Sequence, residues 1–224
     1  DLFTVLTPPL VGETISDDKE NLILIVDGEK KEYVKKNIQP SSIPPLEEVR
    51  VSMEKDFSSR IQVSSNADPA LIGTAIHDVF CVLEKNKDIE FISSIIECHG
   101  FRKEIPNSDE VLRAWNNLES YLKEQYGEEY TTLHECPFSY EEDSFEVNGT
   151  IDLVWETKEG AVLIDYKTFQ GKKNSILDPG DSHYAGLYSG QFSAYRKALE
   201  KAGRKVLASF VYYPVAGCLV RIEW

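Results

Sequence analysis

Residues 149–168 read GTIDLVWETKEGAVLIDYKT, two apolar runs separated by a polar, glycine-containing turn. This pattern is typical of a β-hairpin. If the hairpin closes symmetrically over the central Lys-Glu pair, Asp152 lies directly opposite Asp165, where opposed Cβ atoms are about 4.5–5.5 Å apart. Lys167 follows Asp165 by two positions, so its side chain is expected on the same face of the strand. The hairpin therefore predicts two carboxylates and one ammonium group at one place.

The paired carboxylates indicate a cation site. Two carboxylates this close repel each other unless one is protonated or a cation lies between them. A hard, oxygen-preferring cation such as Mg²⁺ relieves that repulsion. The trio then suits phosphodiester hydrolysis, because the metal polarises a phosphoryl oxygen and activates water, while Lys167 orients that water or stabilises charge on the phosphate. The alternative is a surface hairpin whose charged residues lie on a solvated face.

Helical and strand patterns alternate around this hairpin. Apolar residues recur at helical spacing from Leu71 to about Leu83, after the capping pair Asp68-Pro69. This order of patterns predicts an α/β fold with a central mixed β-sheet flanked by helices. The other predicted helices cover about residues 108–126 and 183–201, and the other predicted strands cover 131–140, 206–213 and 219–224.

The composition is that of a globular protein. Of 224 residues, 42% are hydrophobic and 28% are charged, and no apolar run approaches the roughly 20 residues of a membrane span. A cytoplasmic protein with no membrane partner is the simplest expectation. The absence of any closely spaced cysteine pair argues against a zinc or iron–sulfur site. The four cysteines are Cys81, Cys98, Cys136 and Cys218.

The net charge of −14 is unusual for a nucleic-acid-binding protein, but the charge is unevenly distributed. Residues 161–224 hold nine Lys and Arg against five Asp and Glu, whereas residues 1–160 are strongly acidic. The basic part is available to face phosphates while the acidic part faces solvent or a partner. Charge alone thus neither favours nor excludes a nucleic-acid substrate.

Five short segments occur along the chain in the order that is typical of a known protein family. Each is weak alone: a lone His such as His77 in an apolar helix is more often a core residue, and an amphipathic-helix Tyr such as Tyr195 usually packs in the core. Together, over about residues 60 to 224, they resemble the RecB/AddA-type nuclease domain of the PD-(D/E)XK superfamily, the C-terminal region of bacterial helicase–nucleases. The segments are Gly73…His77, Glu135, Gly149-Thr150-Ile151-Asp152, Asp165-Tyr166-Lys167-Thr168 and Gln191…Tyr195.

The resemblance implies a restriction-endonuclease-like fold and a metal centre. His77, Asp152 and Asp165 would be the metal ligands, together with the backbone carbonyl of Tyr166. The implied ion is Mg²⁺, with Mn²⁺ as an alternative. Some relatives hold an iron–sulfur cluster on four cysteines, three of them closely spaced near the C-terminus. Only Cys218 lies there in this chain, so no cluster is expected.

The resemblance also implies catalytic and DNA-contacting residues. Lys167 would be the catalytic lysine, Gln191 and Tyr195 would position that lysine or the DNA, and Glu135 would join the catalytic set. Tyr184 and Tyr188 are candidates for stacking on single-strand bases, with core packing as the alternative. Candidate contacts to the DNA backbone are Lys172, Lys173, Arg196, Lys197, Arg204 and Lys205.

The implied organisation is an N-terminal extension or linker to a helicase domain over residues 1–60, and a nuclease domain over 61–224. The implied function is metal-dependent hydrolysis of DNA, of the exonuclease type, in double-strand-break end processing and recombination. The partners would be single-stranded DNA, the helicase motor of the same parent chain and a second subunit. The alternatives are a catalytically silent DNA-binding or subunit-docking module of the same fold, and a metal-assisted phosphohydrolase of nucleotides.

Overall fold

The computed structural model describes residues 36–64, 68–142 and 145–224, and the backbone pairing of three strands before them. Those strands are β1 (Thr14–Asp18), β2 (Asn21–Val26) and β3 (Glu29–Glu32), which form a small antiparallel sheet in the order β1-β2-β3. No helix in the part of the chain so described is long and apolar enough to cross a membrane.

A mixed sheet of seven strands forms the centre of the fold. The strands are β4 (Lys36–Ile38), β5 (Arg50–Asp56), β6 (Tyr130–Glu142), β7 (Phe145–Thr157), β8 (Ala161–Tyr166), β9 (Val206–Tyr213) and β10 (Cys218–Glu223). Their order is β4-β7-β8-β9-β10-β5, and β6 pairs with β7 beside this path. The pairs β4–β7 and β8–β9 are parallel, and the other pairs are antiparallel. The predicted α/β class with a central mixed sheet is confirmed.

Helices cover both faces of this sheet. Along β8, Val162 and Ile164 pack against the helices of one face, whereas Leu163 packs against the other face, because successive strand residues point to opposite sides. The first face carries α1 (Pro69–Leu83), α2 (Ile89–Cys98) and α3 (Ser108–Tyr126), and the second carries α4 (Lys173–Leu177) and α5 (Ser189–Lys201). Short 3₁₀ helices cover Pro40–Ser42 and Ala185–Tyr188.

Three local features differ from the sequence expectation. The helix α2 was not predicted, although Asp88 caps it by accepting a hydrogen bond from the Phe91 N–H at 2.9 Å. The predicted last helix begins at Ser189, and a 3₁₀ helix precedes it. Strand β6 extends beyond the predicted strand 131–140 at both ends, and it includes Pro137, whose missing N–H is tolerated because β7 is the only strand that pairs with β6 among the described residues.

The proline-rich segment before residue 61 lies against the sheet and α5. Pro40 is buried, and the Leu46 N–H donates a hydrogen bond to Ser189 Oγ at 2.9 Å. A Cβ on Gly190 would lie 2.3 Å from the carbonyl oxygen of Pro44, so only glycine permits this approach. Strands β4 and β5 of the described sheet therefore lie before residue 60, where the sequence predicted the boundary between an N-terminal extension and the nuclease domain. The attachment of that side to a helicase domain stays a prediction.

We expect the Gly190→Ala substitution to destabilise the fold, although Ala normally favours a helix over Gly. The added Cβ would clash with two backbone carbonyls, those of Pro44 and Ile43, at 2.3 and 2.4 Å. The free energy of unfolding should fall by about 1–3 kcal/mol in urea titrations monitored by circular dichroism. Gly180→Ala is the matched control, because its nearest neighbour, Asp178 Oδ1, lies at an ordinary 3.4 Å. Equal stability of the two variants would contradict the proposed close approach.

Candidate active site

The hairpin has the register expected from its symmetry. Leu153 pairs with Ile164, and the next position along the strands brings Asp152 opposite Asp165. Strand β8 ends one residue later and is parallel to β9, whose Tyr212 carbonyl accepts a hydrogen bond from the Lys167 N–H at 2.9 Å. The carboxylates therefore lie where the paired part of the hairpin ends. That is the end of β8 at which a substrate would have access.

Asp165 is a fully buried carboxylate, and α5 supplies its hydrogen-bond donors. Its Oδ1 accepts hydrogen bonds from Gln191 Nε2 at 2.9 Å and from the Tyr195 hydroxyl at 3.2 Å, and Gln191 also donates to that hydroxyl. Its Oδ2 contacts the Lys167 ammonium, with Nζ at 2.5 Å. One oxygen is thus fixed by α5, and the other faces an ammonium group.

Asp152 lies at an irregularity that β6 and β7 share. On β7, Ile151 packs on the α5 side of the sheet, but Leu153 packs on the α1–α3 side, although regular alternation would place both on one side. On β6, Glu135 has a left-handed φ of 45° and faces Asp152 without regular pairing. Because of this local change of faces, the carboxylates of Asp152 and Glu135 do not point into either of the apolar cores that cover the sheet. Asp152 Oδ2 instead accepts a hydrogen bond from the Tyr166 N–H at 2.7 Å.

Helix α1 brings His77 onto these carboxylates. Its Nε2 lies 3.7 Å from Asp152 Oδ2 and 3.3 Å from the Tyr166 carbonyl oxygen, and its Nδ1 lies 3.6 Å from Glu135 Oε1. The imidazole also makes an edge-on contact with the Tyr166 ring, with centroids 5.1 Å apart. Gly73, one turn earlier, allows the helix to lie close, because a Cβ there would be 3.0 Å from Thr168 Oγ1.

His77, Glu135 and Lys167 line an open cleft of about 480 Å³, and Asp152 and Asp165 contact it through His77 and Lys167. Its walls come from the first two turns of α1, from Glu135 and from the end of β8. Lys167 lies in the wall, with its ammonium 4.9 Å from the centroid of the Tyr188 ring. Tyr188 thus contacts the lysine from the α5 side through a cation–π interaction. The sequence predicted that Tyr188 either stacks on bases or packs in the core, and it did not indicate the contact with Lys167.

The electrostatics of the cleft favour a bound cation. Burial, reinforced by the negative charge of Asp165, raises the pKa of Asp152 to about 8. Burial lowers the pKa of His77 despite the attraction of Asp165 and Glu135, so its imidazole is neutral and able to ligate. Burial opposes the charge of Lys167, but its ion pair with Asp165 dominates and raises the pKa of the lysine. The excess negative charge is therefore only partly neutralised by the protein.

The donor set fits a hard divalent cation. Ligand atoms of His77, Glu135 and Asp152 all lie within 4.8 Å of one another. The Tyr166 carbonyl oxygen lies 3.3 Å from Nε2 of the same imidazole, and Asp165 Oδ2 contacts the Lys167 ammonium beside this cluster. Carboxylate and carbonyl oxygens with one imidazole are ligands accepted by Mg²⁺ and Mn²⁺. Glu135, predicted as a catalytic residue, belongs to this cluster of possible metal ligands. Asp165 lies beside the cluster and contacts Lys167.

The six predicted DNA-backbone cations do not converge on one surface. Their positions relative to β8 and β9 divide them into three pairs. Lys172 and Lys173 follow the end of β8 that carries the cleft, Arg204 and Lys205 lie at the opposite end beside the hairpin turn, and Arg196 and Lys197 lie on α5, paired with Glu200 and Glu142.

Comparison with known families agrees with this geometry. The PD-(D/E)XK nuclease superfamily matches residues 53–221. The chain belongs to the PD-(D/E)XK nuclease superfamily. The match begins within β5 and ends within β10, so it covers most of the seven-stranded sheet and the whole cleft. A nuclease domain is the corresponding functional class, and the role of each residue in it stays a prediction.

Similar proteins include ATP-dependent helicase/nuclease subunits A from three bacteria. That of Alkaliphilus oremlandii is 29% identical over 161 residues, which are 62% of this chain and 13% of the relative. That of Thermoanaerobacter sp. strain X514 is 37% identical over 82 residues, 35% of this chain and 6% of the relative. That of Anoxybacillus flavithermus is 35% identical over 94 residues, 40% of this chain and 8% of the relative. The chain thus spans at most about an eighth of these relatives' lengths.

We predict that Asp152→Asn stabilises the metal-free nuclease domain above neutral pH. The folded protein keeps a proton on Asp152 up to about pH 8, whereas the unfolded carboxyl group releases it near pH 4. The folded state then binds more protons between these values, so the free energy of unfolding falls as the pH rises through this window. Asn cannot ionise and avoids this loss. In EDTA at pH 8, its melting temperature should exceed that of the wild type by a few degrees, because about 1 kcal/mol corresponds to roughly 2–4 °C.

The same melts with Mg²⁺ or Mn²⁺ provide the second half of this test. A cation that binds the folded state raises the melting temperature, and the wild type should gain more than Asp152→Asn. At pH 4, where the carboxyl group is protonated in the folded state, the two proteins should melt alike without metal. A variant that is less stable than the wild type in EDTA at pH 8 would show that the carboxylate charge is compensated without a cation.

Proposed function

We propose that this chain is a Mg²⁺-dependent deoxyribonuclease that hydrolyses phosphodiester bonds at the cleft beside α1. The observation that carries the proposal is the convergence of His77, Asp152, the Tyr166 carbonyl, Asp165 and Lys167 at the end of one hairpin. Membership of a nuclease superfamily supports the reaction class.

His77, Asp152, Asp165 and the Tyr166 carbonyl oxygen are the proposed metal ligands, and Mn²⁺ would serve in place of Mg²⁺. The bound ion would polarise a phosphoryl oxygen and lower the pKa of a water molecule. The chain itself holds these groups in place: the Tyr166 N–H orients Asp152, and α5 orients Asp165. Such fixed orientation reduces the reorganisation needed when charge develops during the reaction.

Lys167 is the proposed catalytic lysine, acting as a charged donor. Since its pKa is raised, it keeps its proton at neutral pH and is unsuited to act as a general base. An ammonium group at this place stabilises negative charge that develops on the phosphate or orients the attacking water. Asp165 and the Tyr188 ring limit the positions of its ammonium group. Lys167 thus works through position and charge.

Gln191, Tyr195 and Glu135 complete the proposed set. Gln191 and Tyr195 donate to Asp165 Oδ1, so they position the carboxylate and, through it, Lys167. Glu135 is half-exposed in the cleft wall, 3.6 Å from His77 Nδ1. Its carboxylate can accept a hydrogen bond from that imidazole or from a water molecule.

The biological setting is proposed from the relatives, whose name joins a helicase to a nuclease. We infer that this nuclease domain receives single-stranded DNA from a helicase motor in the same parent chain, N-terminal to it. We further infer exonuclease-type cutting in the cytoplasm, during double-strand-break end processing and recombination, with a second subunit as partner. No iron–sulfur cluster is part of the proposal.

A cleavage assay with labelled single-stranded DNA tests the reaction. The wild type should cut with Mg²⁺ or Mn²⁺ and not in EDTA. Lys167→Ala and Asp165→Asn should each slow cutting by about 100-fold or more, because the first removes a positive charge beside the reacting phosphate and the second removes the charge of a proposed metal ligand. Lys158→Ala is the matched control, since Lys158 is a solvent-exposed lysine at the other end of the same hairpin.

The outcomes separate the proposal from its alternatives. Cutting that survives in Lys167→Ala and Asp165→Asn would show that the site lies elsewhere. A wild type that binds the DNA but does not cut it, even when joined to its helicase motor, would indicate a silent DNA-binding module. Release of phosphate from nucleotides without cutting of the strand would indicate a nucleotide phosphohydrolase.

A further inference from the structure

A second cleft carries positive charge in this acidic protein. It has a volume of about 300 Å³ and lies between the segment that follows β5, the start of α3 and the turn between β9 and β10. Three cationic side chains line it, those of Arg60, Arg113 and Lys173, against a single carboxylate, that of Glu110. The remaining polar lining comes from serine and glutamine side chains. Cations and hydroxyl groups in a concave site are the groups that bind phosphate oxygens.

The two arginines of this cleft are available for a ligand. Arg60 and Arg113 are exposed, and neither forms an ion pair with any residue that the structure describes. The carboxylate of Glu110 is engaged by the Gln62 N–H at 2.7 Å. The arginines are therefore neither neutralised by a carboxylate nor fixed by the fold.

Lys173 ties this cleft to the rest of the structure. Its ammonium forms an ion pair with Asp56 and donates a hydrogen bond to the Gly217 carbonyl at 3.2 Å. Gly217 in turn accepts a hydrogen bond from the Phe57 N–H at 2.9 Å. These contacts join the loop after β8 to the segment after β5. The cleft is thus held at the end of the sheet at which β8 and β9 finish.

The cleft lies close to the candidate active site. Tyr212, whose carbonyl accepts from the Lys167 N–H, is four residues before Ala216 in the cleft wall. Four residues of extended chain span at most about 14 Å. Helix α1 lines the first cleft, and the start of α3 lines the second together with Lys173 at the start of α4.

We propose that the cleft lined by Arg60, Arg113 and Lys173 binds the phosphodiester backbone of the nucleic-acid strand, beside the site at which the strand is cut. This inference rests on the proposed function, because it names where the substrate of that site is held. Bidentate arginine contacts with phosphate would fix the register of the strand without reading its bases. An acidic segment of another protein is the competing occupant, and the proximity to a site for phosphodiesters favours nucleic acid.

The test measures binding of a fluorescent single-stranded oligonucleotide by anisotropy, in EDTA so that no cleavage occurs. The double variant Arg60→Gln/Arg113→Gln should bind more weakly, by about 25-fold at 0.1 M salt and about 5-fold at 0.3 M. Losing two phosphate contacts should also reduce the slope of log K against log salt by about 1.4. Thermal melting should match the wild type, because both side chains are exposed.

The matched control is Lys85→Gln/Lys158→Gln, which removes two exposed positive charges, one just after the C-terminal end of α1 and one in the hairpin turn, outside the lining of both clefts. It should keep the affinity and the salt slope of the wild type. The proposal is overturned if the arginine variant binds like the wild type, if both double variants lose affinity equally, or if the wild type binds no oligonucleotide at low salt. Displacement of the oligonucleotide by poly-glutamate with an unchanged salt slope in the arginine variant would assign the cleft to an acidic protein instead.

Failure of the proposed function is visible separately. Because binding is measured in EDTA, it does not depend on catalysis. If the arginine variant loses DNA affinity but the wild type never cuts DNA, the proposed binding cleft stands and the proposed nuclease activity is refuted. If cutting depends on Lys167 but both double variants bind DNA equally well, the nuclease activity stands and the proposed binding cleft is refuted.

Discussion

The structure depends on how the protein tolerates two buried carboxylates at the end of one hairpin. Burying a charge without partners is costly, so each oxygen needs a donor or a cation. Helix α5 gives Asp165 two neutral donors, and the chain itself gives Asp152 the Tyr166 N–H. Among the residues that the structure describes, Lys167 is the lysine or arginine that forms an ion pair with these carboxylates, through one oxygen of Asp165. Burial and the negative charge of Asp165 together raise the pKa of Asp152, and the divalent ion proposed for the cleft would offset this charge.

The sheet accommodates the carboxylates through a local irregularity in strands β6 and β7. Regular β-strands would direct the side chains at 151 and 153 to the same face, but they enter opposite cores. The change of faces occurs where Glu135 takes a left-handed conformation beside Asp152. Backbone strain of this kind is often found at functional sites. Here it directs two carboxylates toward His77, which the close packing of α1 holds within 4 Å of both.

The distribution of charge gives the acidic chain a basic path. Its net charge of −14 opposes association with DNA at long range. Lys167 and the pair Arg60 and Arg113 nevertheless lie in two clefts at the same end of the sheet. Local cations can hold a phosphate backbone although the whole protein is negative, because salt screens charges beyond about 8–10 Å. A helicase that delivers the strand would further reduce the need for long-range attraction.

The sequence by itself determined the hairpin, its register and the order of the elements, because the apolar alternation and the polar turn are local. It also predicted that Asp152, Asp165 and Lys167 meet, since a symmetric hairpin leaves one register. The tertiary structure alone decided that residues 36–56 complete the sheet, that Glu135 joins His77 and Asp152, and that Tyr188 contacts Lys167. It also brought Arg60, Arg113 and Lys173 to one cleft. These contacts join residues tens of positions apart, and only the packing of helices and strands against a common sheet fixes such distances.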